Sequence, residues 1–277
     1  MKKILLSIVT YTPQIAQFKD RIKSFLNHVD FILIFDNHSS NQIEISRSFA
    51  QDNIKVILNE KNIGLPVNYN RAIEFGQRNG FDYLLILDQD SVPDEKFFTE
   101  YKKNIADNPF CLVPLIQHVN EDYASFYPEK YTEETELVKS SINSGTLLNL
   151  NNIPENLRYD EDFFIDCVDF DFFLRLRRKH DIKRINTAIL KINLGNITQK
   201  GPFFLYNYPS RRLRKQSRDR VVFFRKHLFS SFSVWFSFFI LFNNIKILLF
   251  EKNRLTKAIA MIVGTFEGFK KKLHHDD

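Results

Sequence analysis

One apolar run that ends in two carboxylates constrains the fold of this chain more than any other feature. Residues 83–87 are Tyr-Leu-Leu-Ile-Leu, and Asp88-Gln89-Asp90 follow directly. A continuous apolar run of this length is typical of a strand that is buried on both faces of a parallel sheet. Open α/β sheets bind ligands at the carboxyl ends of their strands, so we expect Asp88 and Asp90 at the edge of a cleft.

The two carboxylates have a functional and a structural interpretation. Hard oxygen ligands favour Mg²⁺ or Mn²⁺, and such ions usually keep water and phosphate oxygens in their coordination shell. One hypothesis is therefore a divalent metal that holds a nucleotide diphosphate. Asp is also common in exit turns and at helix N-termini, which would give the pair a purely structural role.

Further apolar runs on both sides of residues 83–87 alternate with helical patterns. The predicted strands are 4–9, 31–35, 54–58, 111–116, 142–150 and 187–194. Helices are predicted after Pro13 and Pro66, where proline is tolerated in a first turn, and from Pro93. Strands that alternate with helices indicate βαβ units and an α/β fold with a mostly parallel sheet. The loops after residues 9, 35 and 87 would then lie at one edge of that sheet.

A second dense group of acids occurs in residues 160–171. A helix is predicted from about Asp169, whose charge the helix dipole would favour at that end. Asp166 and Asp169 have Phe and Val neighbours, and a carboxylate among apolar side chains is costly unless something compensates. The structural alternative is that these acids are caps and solvated charges. Gly145, in the predicted strand 142–150, would allow close approach of a ligand or a backbone.

The composition changes near residue 204. Residues 211–226 contain eight basic side chains and one acid, a pattern that fits phosphate or anionic lipid and equally a solvated basic helix. The apolar stretch within 228–250 is interrupted and shorter than the roughly 20 residues that a spanning helix needs. We expect one domain over 1–203 and a helical region over 204–277 that associates with the inner face of the cell membrane. The alternative is that these helices pack on the first domain as a cap.

The net charge and the number of cysteines exclude some classes of protein. A net charge of +6 indicates an anionic partner, and two cysteines are too few for a disulfide framework or a zinc site. No base-stacking or groove-reading module accompanies the basic residues, so nucleic acid is not the expected partner. We expect a cytoplasmic protein.

Several short motifs follow one another along most of the chain. They are 9–13, Asp36–Ser39, Asn62–Gly64 with Asn68 and Asn70, 87–91, Ser144-Gly145, 164–171, and Arg211-Arg212 with Arg218-Asp219. Their order and spacing resemble family 2 glycosyltransferases with the GT-A fold, and within them the rhamnosyltransferase-like branch of bacterial surface polysaccharide synthesis. The resemblance implies a Rossmann-like, mostly parallel central sheet flanked by helices, here with a C-terminal helical extension.

The resemblance also implies a reaction and a set of site residues. The reaction is an inverting transfer from a nucleoside diphosphate sugar, dTDP-rhamnose or a UDP-hexose, to a hydroxyl of a lipid-linked saccharide acceptor. Asp169 is implied as the catalytic base and Asp90 as the ligand of Mn²⁺ or Mg²⁺. The residues implied for the nucleotide sugar are Thr10, Tyr11, Asp36, Asn62, Gly64, Asn70, Asp88, Gln89, Arg211, Arg212 and Arg218. Gly145, Asp166 and Asp171 are implied to position acceptor and donor.

Two alternatives remain open on the sequence. Family members often carry a His where this chain has Ile192, and that difference favours an inactive, nucleotide-binding scaffold of a membrane assembly. Residues 88–92 also fit the nucleophile loop of haloacid dehalogenase-type phosphatases. That loop normally follows the first strand of its fold, whereas three βα units are predicted before it here.

Overall fold

The computed structural model describes residues 2–118, 133–192, 197–200, 203–227 and 244–274. The prediction for the apolar stretch within 228–250 lies outside these residues as far as residue 243. The chain divides into two compact units. The first contains residues 1–159 and 172–193, and the second contains 160–171 and 194–277. The domain boundary expected after residue 203 stays a prediction.

The first unit is built on a sheet. Its strands are β1 (Ile4–Thr10), β2 (Phe31–Asp36), β3 (Ile54–Leu58), β4 (Tyr83–Asp88), β5 (Val92–Pro93), β6 (Cys111–His118), β7 (Thr135–Leu137), β8 (Leu147–Asn149) and β9 (Ile182–Ile192). Among the described residues these nine strands form one sheet in the order β3-β2-β1-β4-β8-β6-β9-β5, with β7 paired to β9. Strands β3, β2, β1 and β4 are mutually parallel, which confirms the predicted α/β fold.

Helices cover the sheet of the first unit. They are α1 (Ile15–Phe25), α2 (Gln42–Ser48), α3 (Leu65–Arg78) and α4 (Phe97–Asn104), followed by a 3₁₀ turn at Ile105–Asp107. Helix α1 buries Phe18, Ile22 and Phe25, which are three and four residues apart and therefore share one face. The apolar residues of β1, β2 and β4 are buried on both faces, as expected for parallel strands between helices.

Three predicted elements differ from the structure, and one helix of the structure was not predicted. The helix expected from Pro93 begins at Phe97, because Val92 and Pro93 pair with β9. The strand expected over 142–150 is confined to Leu147–Asn149, because Gly145 has a positive φ of 87° and turns the chain. The last predicted strand begins earlier, at Ile182. Helix α2 was not predicted, since Ile45 is its one buried side chain.

Helix α5 (Val168–Leu176) begins in the second unit, and its start agrees with the sequence prediction. The remaining elements of that unit are a two-stranded ladder of β10 (Thr198–Lys200) and β11 (Phe203–Leu205), helix α6 (Ser210–Lys226), helical residues 244–250 and helix α7 (Arg254–Lys270). Helices α6 and α7 pack closely: a Cβ atom at Gly264 would lie 2.0 Å from the Arg214 carbonyl oxygen. Within the described residues, no helix combines the length and the apolar character needed to cross a membrane.

Candidate active site

The carboxyl ends of β1, β2 and β4 lie side by side, as predicted. The sheet register pairs Thr10 with Asp36 and Val9 with Asp88, so the loops that follow these strands begin next to each other. Parallel strands at the centre of the sheet thus bring together residues that are more than 70 positions apart in sequence.

Asp36 fixes two of these loops. Its side chain is fully buried and accepts hydrogen bonds from the Thr10 hydroxyl (3.1 Å), the Ser39 backbone N–H (2.8 Å) and the Ser39 hydroxyl. Ser39 Oγ in turn accepts a hydrogen bond of 2.7 Å from the backbone N–H of Thr12. Both Thr12 and His38 have positive φ angles, of 50° and 68°. The carboxylate therefore holds the loops after β1 and β2 in strained conformations, and its predicted contact with the nucleotide stays a prediction.

A cavity of about 600 Å³ adjoins the loop after β2. Its lining includes Ser39, Asn41, Gln42, Lys19 and Arg47. Two cationic side chains, the acid Glu44 and several polar side chains thus border the Ser39 side of the loop cluster.

Gln89 connects the loop after β4 to the loop after β1. Its side-chain oxygen accepts the Tyr11 N–H at 2.8 Å, and its side-chain nitrogen donates to the Tyr11 carbonyl oxygen at 3.3 Å. Arg21, which the sequence analysis did not single out, donates to the Gln89 carbonyl oxygen at 2.8 Å. The Tyr11 side chain is 46 % exposed. An exposed aromatic residue on a fixed backbone is thus presented beside the carboxylates.

Asp88 and Asp90 have exposed side chains at this edge. The Asp88 N–H donates to Ser144 Oγ at 3.0 Å, and the Ser91 and Ser144 hydroxyls are 2.6 Å apart. Ser144 therefore positions the turn after β4. Asp90 makes no hydrogen bond or ion pair with the described residues, which leaves its oxygens available to a ligand.

The residues at the sheet edge fit a metal ion whose remaining ligands would come from the substrate. In the described part of the chain, no three His, Cys, Asp or Glu side chains come together in a group that could bind a metal ion. Ile192, at the end of β9, offers no ligand atom. Mg²⁺ commonly takes one or two carboxylates and completes its shell with water and phosphate oxygens, and the exposed Asp90 suits that arrangement.

Four further residues implied for the site have structural roles in the first unit. The Asn70 side chain exchanges two hydrogen bonds of 2.8 Å with the backbone of Tyr159. Asn62 Oδ1 accepts the Gly64 N–H at 3.2 Å, and Gly64 has a φ of 88° before α3. Gly145 has no room for a side chain, since a Cβ atom would lie 2.4 Å from Pro114 Cγ. Their contacts with a sugar nucleotide stay predictions.

In the second unit, Asp219 of α6 organises the acidic stretch before α5. Its Oδ2 atom accepts hydrogen bonds from the backbone N–H groups of Phe164 (3.0 Å), Ile165 (2.8 Å) and Asp166 (3.0 Å). Its Oδ1 atom accepts two more from the Arg218 guanidinium. Burial raises the pKa of Asp219, and Arg218 opposes that rise. Sequence analysis noted Asp219 as a lone acid in a basic helix but did not foresee this role.

Most acids of residues 160–171 are paired with bases of the second unit. Asp166 accepts a hydrogen bond of 2.7 Å from Arg220 Nε, and Asp171 lies 2.9 Å from His227 Nε2. Asp162 is buried and contacts Lys226 at 2.8 Å and Lys271 at 3.2 Å. Burial opposes its ionisation, but hydrogen bonds from Lys226 and His274 hold the pKa of Asp162 well below its usual range.

Asp169 is the exception in this stretch. It is half-buried in the first turn of α5, directly after Val168 and after Cys167, whose φ is 62°. Its carboxylate accepts the Phe170 backbone N–H at 2.9 Å and pairs with no basic side chain among the described residues. Burial raises the pKa of Asp169 to about 6, the Phe170 N–H opposes the rise and the charge of Asp166 adds to it. A carboxylate of this kind can accept a proton near neutral pH.

The three implied arginines differ in their surroundings. The Arg212 guanidinium stacks over the Tyr208 ring, 4.1 Å from its centroid. Arg211 is exposed at the start of α6. Arg218 pairs with Asp219 and donates to the Asp162 carbonyl oxygen at 2.9 Å, so it stabilises the acidic stretch. Contacts of these arginines with a diphosphate stay predictions.

The implied site residues therefore fall in two groups. Those of the sheet edge, with Asp90, belong to the first unit, and Asp166, Asp169, Asp171 and the arginines belong to the second. Sequence analysis missed Arg21 in the first unit and Arg220 and His227 in the second, and it named Ser144 and Asp219 in motifs without foreseeing their contacts. The residue types were visible in the sequence, but their partners lie 50 or more positions away.

Comparisons with known proteins identify the family of the chain. Residues 8–185 match the sequence profile of Glycosyl transferase family 2. The chain is 22 % identical to the dTDP-rhamnosyl transferase RfbF of Shigella flexneri over 95 % of its own length and 94 % of that protein.

Solved structures of TarS from S. aureus have the same fold. The longer TarS chain superposes with a TM-score of 0.53 at 12 % identity over 97 % of this chain, which spans only 44 % of that TarS chain. TarS 1–349 in complex with UDP gives a TM-score of 0.52 at 13 % identity over 94 % of this chain and 69 % of that one. These matches confirm the GT-A fold.

The profile covers most of the sheet, the carboxylates after β4 and the start of α5, but not the arginine motifs of α6. A phosphatase of the haloacid dehalogenase type is thereby excluded. The chain belongs to glycosyl transferase family 2, and it is a glycosyltransferase.

Proposed function

We propose that this glycosyltransferase moves a sugar from a nucleoside diphosphate sugar to a hydroxyl of a saccharide acceptor with inversion at the anomeric carbon. The observation that carries the proposal is Asp169, a carboxylate without a basic partner among the described residues and with a pKa raised to about 6. Similarity to a dTDP-rhamnosyl transferase favours dTDP-rhamnose as donor, with a UDP-hexose as the second candidate.

The reaction is a single displacement. The acceptor hydroxyl loses its proton to Asp169 as its oxygen attacks the anomeric carbon, and the bond from that carbon to the diphosphate breaks on the opposite face. One displacement inverts the configuration, so no covalent sugar intermediate is required. A positioned carboxylate typically contributes a factor of about 10² to 10⁴ as a general base.

The remaining site residues hold and neutralise the donor. Tyr11, half-exposed and fixed by Gln89, offers a ring to the nucleobase. Asp90 holds Mn²⁺ or Mg²⁺ at the diphosphate, and the exposed Arg211 and Arg212 add positive charge. When bound, the metal stabilises the negative charge of the departing diphosphate.

The acceptor is proposed to be a growing surface polysaccharide on a lipid carrier, such as a capsule, O-antigen or cell-wall precursor. This proposal rests on the resemblance to rhamnosyltransferases of polysaccharide synthesis. It places the enzyme at the inner face of the cell membrane, where a lipid-linked saccharide and a soluble sugar nucleotide are both accessible.

A thermal-shift screen of nucleoside diphosphate sugars with and without Mn²⁺ tests donor and metal together. The correct donor should raise the melting temperature in proportion to the logarithm of its concentration, because it binds the folded state. Asp90→Asn should abolish the Mn²⁺-dependent part of the shift, while Asp52→Asn, at an exposed turn of the same unit, should not. An Asp90→Asn protein with the same Mn²⁺ dependence as wild type would contradict the metal role.

A further inference from the structure

Helix α7 has two different faces. One face packs on α6 and contains Lys257, Met261, Gly264 and Gly268, which are buried. The other carries five large apolar side chains that are each between 56 % and 77 % exposed. We call these residues the outer face: Leu255, Ile259, Ile262, Phe266 and Phe269.

The outer face is continuous along the helix. Its members are four and three residues apart in turn, so they form one stripe about 21 Å long on an α-helix. The two glycines of the packed face fix this orientation, because a Cβ atom at Gly268 would lie 2.7 Å from the Arg218 carbonyl oxygen of α6. Ile245, Leu248 and Leu249, in the preceding helical residues, are also exposed. An apolar surface of this extent is unusual on a face that only water contacts.

The charges around the outer face have one sign. Lys252, Arg254, Lys270 and Lys272 are exposed, and none of them forms an ion pair within the described residues. The two acids of residues 244–274 are both neutralised: Glu251 pairs with Lys257 and Glu267 pairs with Arg214. An apolar stripe bordered by unpaired cations is complementary to a bilayer with anionic headgroups.

A second copy of the chain fits this face less well. Helices that pair through a stripe with spacing of three and four usually carry opposite charges at the flanking positions. Here Arg254 and Lys270 flank the two ends, so parallel and antiparallel pairs would both bring cations together. Like charges opposed across such a pair are unfavourable.

We infer that the outer face of α7 is a docking surface for anionic lipid, on which the helix lies in the plane of the headgroups. The apolar side chains enter the boundary of the acyl region, and the four basic residues contact the headgroups. The inference deepens the proposed function by naming the surface that would bring the enzyme to a lipid-linked acceptor, but lipid binding requires no sugar transfer.

Vesicle flotation of the full chain tests the docking surface. Wild type should float with vesicles of equal parts phosphatidylcholine and phosphatidylglycerol and much less with pure phosphatidylcholine. Ile259→Glu with Phe266→Glu should lower binding roughly tenfold or more by placing charge in the apolar boundary. Replacing Lys270 and Lys272 by Gln should lower it about fivefold per residue on anionic vesicles alone.

A matched control separates this surface from general surface hydrophobicity. Ile43 of α2 is 68 % exposed, close to the 63 % of Ile259, and belongs to the first unit. Ile43→Glu should leave flotation unchanged, and equal melting temperatures would show that each variant folds. The inference would be overturned if Ile43→Glu lowered vesicle binding as much as Ile259→Glu with Phe266→Glu does. It would also be overturned if the wild-type protein did not float with the vesicles. A wild-type dimer in solution that the outer-face variant turns into a monomer without any lipid binding would overturn it as well.

Activity on a soluble acceptor distinguishes a failure of this inference from a failure of the proposed function. The outer-face variant should retain wild-type turnover with a water-soluble saccharide acceptor and lose turnover with the same saccharide on a lipid anchor in anionic vesicles. Equal turnover of variant and wild type on the vesicles would count against docking while leaving the transfer reaction intact.

Discussion

Asp169 and Asp219 lie in the same compact unit, and burial raises the pKa of both, but their surroundings differ in kind. Asp219 accepts three backbone N–H groups and the Arg218 guanidinium, which use both of its oxygens. Asp169 accepts one backbone N–H and has no basic partner in the described residues. Both oxygens of Asp219 are thus occupied by hydrogen bonds from the protein, whereas Asp169 can still accept a proton from a bound molecule.

Other acids of the described residues can be compared in the same way. Asp36, Asp162 and Asp166 are likewise satisfied by hydroxyls, N–H groups or bases. Asp90 resembles Asp169 in having no basic partner among the described residues, but its side chain is exposed. An exposed carboxylate can bind a metal together with water, whereas burial raises the pKa of Asp169 into the range where a carboxylate exchanges a proton.

The largest expected effect is on turnover. Asp169→Asn should lower kcat by roughly 100- to 10,000-fold, because the amide cannot accept the acceptor's proton. Binding of the donor, measured by thermal shift, should stay close to wild type. In the wild-type enzyme kcat/KM should fall below pH about 6, where Asp169 gains a proton.

Glu161→Gln provides the matched control for this variant. Glu161 is an exposed acid of the same stretch, and its replacement should leave kcat within a small factor of wild type. If Asp169→Asn turned over sugar as fast as Glu161→Gln, the contrast between the two carboxylates would have no catalytic meaning.

The second effect concerns stability. Asp219→Ala should lower the free energy of unfolding by about 3 kcal/mol, because it leaves buried N–H groups and the Arg218 charge without a partner. Asp219→Asn, which keeps one acceptor oxygen, should lose less. Urea denaturation of the two variants measures which of them loses more free energy of unfolding. Equal and small losses would show that solvent replaces the carboxylate and that Asp219 is not saturated as the structure indicates.

The strands of the sheet could be predicted from the sequence because each one depends on residues that are neighbours in the chain. Buried parallel strands such as β1, β2 and β4 are continuous apolar runs, and their ends locate Asp36 and Asp88 without any tertiary information. Helix α2 was missed because one buried residue gives no periodicity. The strand predicted around Gly145 was too long because its apolar composition conceals a turn with positive φ.

The site could be predicted only in part, because the ion pairs and hydrogen bonds of its acids involve residues that are distant in sequence. Asp36 was expected to contact the nucleotide, and the sequence could not show that its oxygens also accept hydrogen bonds from Thr10, 26 positions away, and from Ser39. The stretch 160–171 contains several acids that look equivalent in sequence. What distinguishes Asp169 from Asp166 is the absence of a basic partner like Arg220, which lies 54 positions from Asp166. Motif resemblance assigned Asp169 as the base, and that role stays a prediction which its lack of a basic partner in the described residues supports.

The smallest effect has the opposite sign to that of Asp219→Ala. Below its ordinary pKa near 3.8, Asp169 is protonated in both the folded and the unfolded chain. Between that value and about 6 only the unfolded chain ionises, so this group lowers the stability of the fold as pH rises and the loss is complete above about 6. Asp169→Asn removes the loss, and it should therefore stabilise the protein at pH 7.5 by on the order of 2 kcal/mol but leave stability at pH 4 nearly unchanged.

Urea denaturation at both pH values measures that difference, with Glu161→Gln as the exposed control that should show no such gain. If Asp169→Asn raised the free energy of unfolding and removed activity, Asp169 would be an acid that lowers stability but is needed for turnover. Asp219, by contrast, would be an acid that stability requires. If Asp169→Asn instead destabilised the protein equally at pH 4 and pH 7.5, Asp169 would be another structural acid. The contrast from which the catalytic assignment is argued would then be lost.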